Sequence, residues 1–340
     1  MGLHHESNGL INMKLIDLHA DTITAMYYDN TNWQVEQEFI LEKPILNLDK
    51  NNLHIDLDKL KQADSLAQFF VCWLNLKACE KYNITAWDLF VKQYNALQNE
   101  LNKYPEQIQF VRNLEEMNKA HQNNKISAFT CIEEGACIDH LDKLVIAKQM
   151  GVKYITIVWN YESHIAVPAA VNQDIGLKKF GFDMVEEMQN LDILVDVSHL
   201  SDKGVKDVLS IAKKPIIASH SNARALCNHR RNLPDELIPQ IANNGGVIGV
   251  NCYPSFLDDN EHLIKINNMV RHIRHIYNLA GEDLIAIGND FDGFHSKKPE
   301  LDEIKHIGDM PKLAGALLDD GFTHQQVEKF FSKNALRILN

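Results

Sequence analysis

The sequence of 340 residues contains no apolar run of 18, so no segment reads as a membrane span. Its first 22 residues, MGLHHESNGLINMKLIDLHADT, lack the apolar core that a secretory signal needs. Gly2 follows Met1, but Glu6 stands where a myristoylation signal requires Ser or Thr. Cysteine is sparse. Cys72, Cys79, Cys131, Cys137, Cys227 and Cys252 form no CxxC pair, and they read as reduced core residues of a cytoplasmic protein. Positive charge is also short: Lys and Arg number 34 against 46 Asp and Glu, a net charge of −12. That balance argues against nucleic acid or an anionic membrane as the main partner. No linker or low-complexity stretch interrupts the chain. Residues 1–340 are therefore expected to form one domain, with 1–12 a short extension before the first strand.

What is present is an ordinary globular composition, 45% hydrophobic and 24% charged. Eight short apolar runs, rich in β-branched and aromatic residues, read as strands: 15–21, 68–74, 126–134, 154–160, 193–199, 215–221, 245–252 and 284–290. Helical spacing fills the gaps. Trp87, Phe90, Tyr94, Leu97 and Leu101 share one face, Ser201 can cap a helix carrying Val205 and Val208, and Thr323 with Gln326 forms a capping box. Strand then helix, repeated eight times, predicts a (β/α)8 TIM barrel of the α/β class. The alternative, an open doubly wound sheet, calls for a glycine-rich turn after the first strand, and HADTIT has none. The connection from Thr22 to about Asn52 is too long for a simple βα loop and is expected to cover the barrel top.

The polar residues gather at the ends of these runs. The first ends in His19-Ala20-Asp21, the third in Glu133-Glu134, the fifth in His199, the sixth in His220 and the eighth in Asp290-Phe291-Asp292. A barrel of this class builds its site at the C-terminal ends of its strands, so these residues converge. Each alone has an ordinary structural reading. Together they point to a metal centre, because buried charge needs a partner. Histidine and carboxylate ligands without clustered thiolates favour zinc and admit manganese, cobalt or iron. The ligand count suggests two ions, with His19 and Asp21 on one, His199 and His220 on the other, and a carboxylate from the third run between them.

At these residues the chain resembles the membrane (renal) dipeptidase family of zinc peptidases, in its microbial branch. The resemblance runs from Leu15 to Leu339. It is carried by IDLHADT, IEEG at 132–135, LVDVSHLSDKG at 194–204, PIIASHSNARALCNHRRNLPDE at 215–236 and IGNDFDG at 287–293. It implies a binuclear zinc barrel that cleaves dipeptides by a metal-bridged hydroxide. Position by position, it implies His19 and Asp21 as ligands of one zinc and His199 and His220 as ligands of the other. Glu133 is implied as the bridging carboxylate, Arg231 as the reader of the substrate carboxylate and Asp290 as the proton-handling acid. A homodimer is implied as well.

Two departures stand out. The family's EGG reads Glu133-Glu134-Gly135 here. Mammalian members carry a substrate-binding histidine at the end of the fourth run, where this chain has Trp159, followed by Asn160. Trp159 and Asn160 are expected to face the substrate, and His164 is a possible substitute for the histidine. Two other readings are a metal-dependent amidohydrolase acting on a non-peptide amide or lactone, and a non-catalytic metal-stabilised barrel. The H-x-D start and the absence of a lysine at the end of the fourth run weigh against the first. The complete ligand set with Asp290 weighs against the second.

Overall fold

The computed structural model describes residues 13–27, 47–171, 173–260 and 262–339. The expected extension, 1–12, and most of the long connection, 28–46, lie outside the described residues.

Nine strands form one sheet: β1 Leu15–Ala20, β2 Ser65–Trp73, β3 Ile108–Phe110, β4 Ile126–Glu133, β5 Val152–Thr156, β6 Leu194–Asp196, β7 Ile217–Ala218, β8 Val247–Val250 and β9 Ile285–Ile287. Neighbours are parallel throughout. The ring runs β1-β2-β4-β5-β6-β7-β8-β9 and closes from β9 back to β1. It is the expected eight-stranded barrel, and the open sheet is excluded. The extra strand, β3, pairs only with the start of β4 (Ile108↔Ile126), before β5 takes its place at Thr130↔Val152.

Parallel barrel strands are covered on both faces, which is why they read as continuous apolar runs. β1 and β4 are buried along their full length. The rings of Phe69, Phe129 and Tyr154 stack across β2, β4 and β5 with centroids 4.5 and 6.1 Å apart. The helices start where their caps predict. Thr85 caps Ala86–Leu101, Ser201 accepts from Gly204 N before Asp202–Ile211, and Thr323 with Gln326 makes both bonds of the capping box. All six cysteines are buried and free. Among the described residues no helix is long and apolar enough to cross a membrane.

Candidate metal centre

The strand ends deliver their polar residues to one mouth of the barrel. β1 is zipped to the segment after β9: Asp290 N donates to His19 O at 3.1 Å, and Asp21 N donates to Phe291 O at 2.8 Å. This pairing places His19 and Asp21 beside Asp290. Glu133 is the last residue of β4, while His199 and His220 follow β6 and β7. Nine non-glycine residues have positive φ among the described residues, and Glu134, His199, Asp290 and Asp292 are four of them. Strained backbone of this kind gathers at functional sites, where the surroundings hold a side chain in an otherwise costly direction.

His19 Nε2 lies 3.5 Å from Asp21 Oδ2, 3.7 Å from Glu133 Oε2 and 4.0 Å from Asp290 Oδ1. On the other side, Glu133 Oε1 is 3.0 Å from His199 Nε2 and 3.5 Å from His220 Nε2. Each oxygen of Glu133 thus faces a different set. The sets His19–Asp21–Glu133 and Glu133–His199–His220 each hold their ligand atoms within 4.8 Å of one another. These side chains fit divalent cations. His19 Nε2 and Asp21 Oδ1 are buried without a hydrogen-bond partner, and two imidazole nitrogens, His199 Nε2 and His220 Nε2, meet at 2.9 Å. Buried polar atoms left in this way call for a ligand.

The electrostatics agree. Burial pushes the carboxyl of Glu133 up to about 8 and that of Asp290 up to about 6, and it raises Asp21 too. Burial, followed by the nearby Arg231 charge and His19, holds the imidazole of His199 well below its usual range. His220 is depressed in the same way, by burial, then His19 and Arg231. Burial disfavours the charged form of His19 too, but the Glu133 and Asp21 carboxylates outweigh it and hold that imidazole well above its usual range. Acids that resist ionising beside two imidazoles that resist protonation form a site that a cation relieves.

Asp290 is oriented by Asn251, whose Nδ2 donates to Asp290 Oδ2 at 3.0 Å. Gly293 has to be glycine: a Cβ there would lie 2.5 Å from Asp21 Oδ2 and 2.6 Å from Asp290 Oδ1. Arg231 is 7% exposed and forms no ion pair within 4 Å among the described residues. Its Nη2 donates to His220 O at a long 3.5 Å, its Nε is unpartnered, and its guanidinium lies 5.5 Å from the centre of the Phe256 ring. The surrounding SNARALCNHRRN loop is a scaffold for it. Arg224 forks onto Asp202 at 2.6 and 2.7 Å, and Asn232 Nδ2 ties Cys227 O to Phe256 O, both at 2.9 Å.

Trp159 sits edge-on to Trp73 with ring centroids 4.8 Å apart, and 6.1 Å from His199. Asn160 Oδ1 lies 2.9 Å from His199 Nδ1. His164 Nε2 lies 3.1 Å from Ile138 O. Glu134, with φ 103°, turns out of the strand path rather than to its opposite face. It accepts from Ala136 N at 3.0 Å and Trp159 N at 3.2 Å, which ties the end of β4 to the loop after β5. Sequence reasoning passed over Tyr154, Asp196, Ser219 and Asn251. Their one signal is a polar side chain inside or directly after an apolar strand run.

A closed (β/α)8 barrel with histidine and carboxylate side chains converging at the C-terminal mouth defines the class: a metal-binding barrel enzyme of the hydrolase type. Residues 6–340 match the family described as membrane dipeptidase, Peptidase family M19. The chain belongs to that family. It is 27% identical over 323 residues to dipeptidase tcpJ of Claviceps purpurea, covering 92% of this chain and 73% of the relative. It is 28% identical over 343 residues to the uncharacterized dipeptidase C965.12 of Schizosaccharomyces pombe, covering 96% and 79%. A metallo peptidase from Rhodobacter sphaeroides, solved with a phosphinate mimic of L-Ala-D-Ala, shares the fold. Its TM-score is 0.81 at 21% identity, with 96% of this chain and 98% of that one covered.

Proposed function

We propose that the protein is a zinc-dependent dipeptidase holding two ions. His19 and Asp21 would hold one, His199 and His220 the other, and Glu133 would reach both. Bound there, such ions supply a water acidic enough to ionise near pH ~7 and an electrophile for the scissile carbonyl.

The observation that carries a dipeptide rather than a longer substrate is Arg231. A guanidinium buried beside the metal ligands, with no carboxylate paired to it, is a fork awaiting an anion. A free C-terminal carboxylate held there puts the peptide bond one residue away at the cluster. Asp290 Oδ2 is engaged by Asn251, which leaves Oδ1, on the His19 side, to take a proton from water and return it to the departing amine nitrogen. Trp159 lines the same mouth, where its ring can pack against a substrate side chain, and Asn160 supports His199 beside it. The six buried, free cysteines support a reducing, cytoplasmic setting. The support for a homodimer is the family resemblance, and light scattering at twice the chain mass tests it.

The experiment compares a dipeptide with its C-terminal amide. The reading expects kcat/KM to fall sharply on amidation. Equal rates on both would remove carboxylate recognition, and the dipeptide assignment with it.

A further inference from the structure

Each histidine of the cluster has a second ring nitrogen, and what faces that nitrogen decides which one carries the hydrogen. His19 Nδ1 lies 2.9 Å from Tyr154 Oη, whose own hydrogen goes to Leu18 O at 2.9 Å. Tyr154 therefore accepts from His19. Asn160 Oδ1, an acceptor, faces His199 Nδ1. The third case runs through two residues. His220 Nδ1 lies 2.8 Å from Ser219 Oγ, and Ser219 Oγ lies 2.6 Å from Asp196 Oδ2.

A hydroxyl has one hydrogen, and a carboxylate takes it in preference to an imidazole nitrogen. Asp196 is fully buried and its oxygens are saturated. Oδ2 accepts from Thr156 Oγ1 at 2.6 Å as well as from Ser219, and Oδ1 accepts from Ser198 N at 3.1 Å and Ser219 N at 2.8 Å. Asp196 also falls within 4.8 Å of ligand atoms of His19 and His220, yet those four bonds occupy it.

We infer that Asp196 and Ser219 are a positioning pair: Asp196 takes the Ser219 hydroxyl hydrogen, so that Ser219 Oγ accepts from His220 Nδ1 and His220 Nε2 keeps its lone pair for the metal. The inference rests on the metal reading above. It adds residues that touch neither metal nor substrate and act through His220.

The test is Co2+ binding to metal-depleted full-length protein, followed by visible absorption and by competition with a chelator. His220→Ala serves as the reference for loss of one ion. Ser219→Ala is expected to weaken that same ion by roughly 10- to 100-fold and to weaken the other less, because Ser219 Oγ is also 3.3 Å from His19 Nδ1 but Tyr154 still accepts there at 2.9 Å. Asp196→Asn is expected to do more. The two backbone N–H groups on Oδ1 fix the amide oxygen there, so the amide NH2 faces Ser219 and donates to it. The hydroxyl hydrogen then turns to His220 Nδ1 and drives the ring hydrogen onto Nε2. If His220→Ala loses an ion while both variants bind cobalt with wild-type affinity and spectrum, the inference is overturned. A lowered melting temperature of the metal-free variants without change in cobalt binding overturns it too, since that is a structural role alone. Should Ser219→Ala fail to fold, Asp196→Asn decides. Wild-type protein that binds no cobalt overturns the metal reading itself, and this inference with it.

Discussion

His199 and His220 approach one another end to end, Nε2 to Nε2 across 2.9 Å, with Glu133 Oε1 3.0 Å from the first. On the tautomers inferred above, with Nδ1 of each ring donating to an oxygen, at Asn160 and Ser219, both Nε2 atoms would carry lone pairs and repel. A cation between the rings turns that repulsion into binding. Zinc is therefore expected to stabilise the fold, by about 4 kcal/mol when free metal exceeds its dissociation constant a thousandfold. Thermal melting with and without chelator checks this, and coincident curves would contradict it.

In the proposed reaction Asp290 handles a proton, and its side chain is held, among the described residues, by one hydrogen bond, from Asn251. Asp290→Asn keeps the shape and the bond to Asn251 but removes the basic oxygen. It is expected to retain metal and to lower kcat by roughly 10²- to 10⁴-fold, with KM little changed. Steady-state kinetics beside metal analysis reads both quantities, and a kcat near wild type would take the proton role from Asp290.

Arg231→Ala is expected to lower kcat/KM for a free dipeptide by roughly 100-fold, the value of a lost charge-assisted pair. The amidated dipeptide should hardly notice. Arg231→Lys should restore little, because a point charge does not reproduce the fork. Equal losses on free and amidated substrates would show that Arg231 serves structure only.

Glu134 gives a pH signature. Burial pushes its carboxyl from 4.5 up to about 7, and its partners are two backbone N–H groups rather than a cation. A raised folded pKa means that its stabilising contribution is full below 4.5 and is lost as pH rises through 7. The lost part is roughly 3 kcal/mol at most. In metal-free protein, Glu134→Gln should therefore lose stability less steeply than wild type between pH 4.5 and 7. Denaturant melts across that window measure the two slopes, and parallel slopes would refute the argument.

The barrel was legible because buried parallel strands leave continuous apolar runs, and the candidate ligands were legible because each sits where such a run ends. Each of the eight runs contains a strand, though only two or three residues of 193–199, 215–221 and 284–290 are strand, and Glu133 rather than Glu134 faces the histidines. β3 escaped because three residues, IQF, carry no period, and its pairing is confined to the start of β4. Tyr154 and Asp196 escaped for another reason. A polar residue within a strand shows its purpose only once the barrel closes and sets Tyr154 against His19 and Asp196 against Ser219. Those contacts join residues 135 and 23 positions apart, which no local pattern records. Trp159 and Asn160 were placed at the mouth by their position alone, and their contacts with Trp73 and His199 are likewise tertiary.

The most direct measurement is turnover of a small dipeptide panel, with L-L and L-D pairs, by zinc-loaded protein before chelation, after it, and after zinc is restored. The account predicts hydrolysis that disappears with the chelator and returns with zinc. Hydrolysis untouched by complete metal removal, or none of any dipeptide by protein carrying two zinc ions, would contradict it.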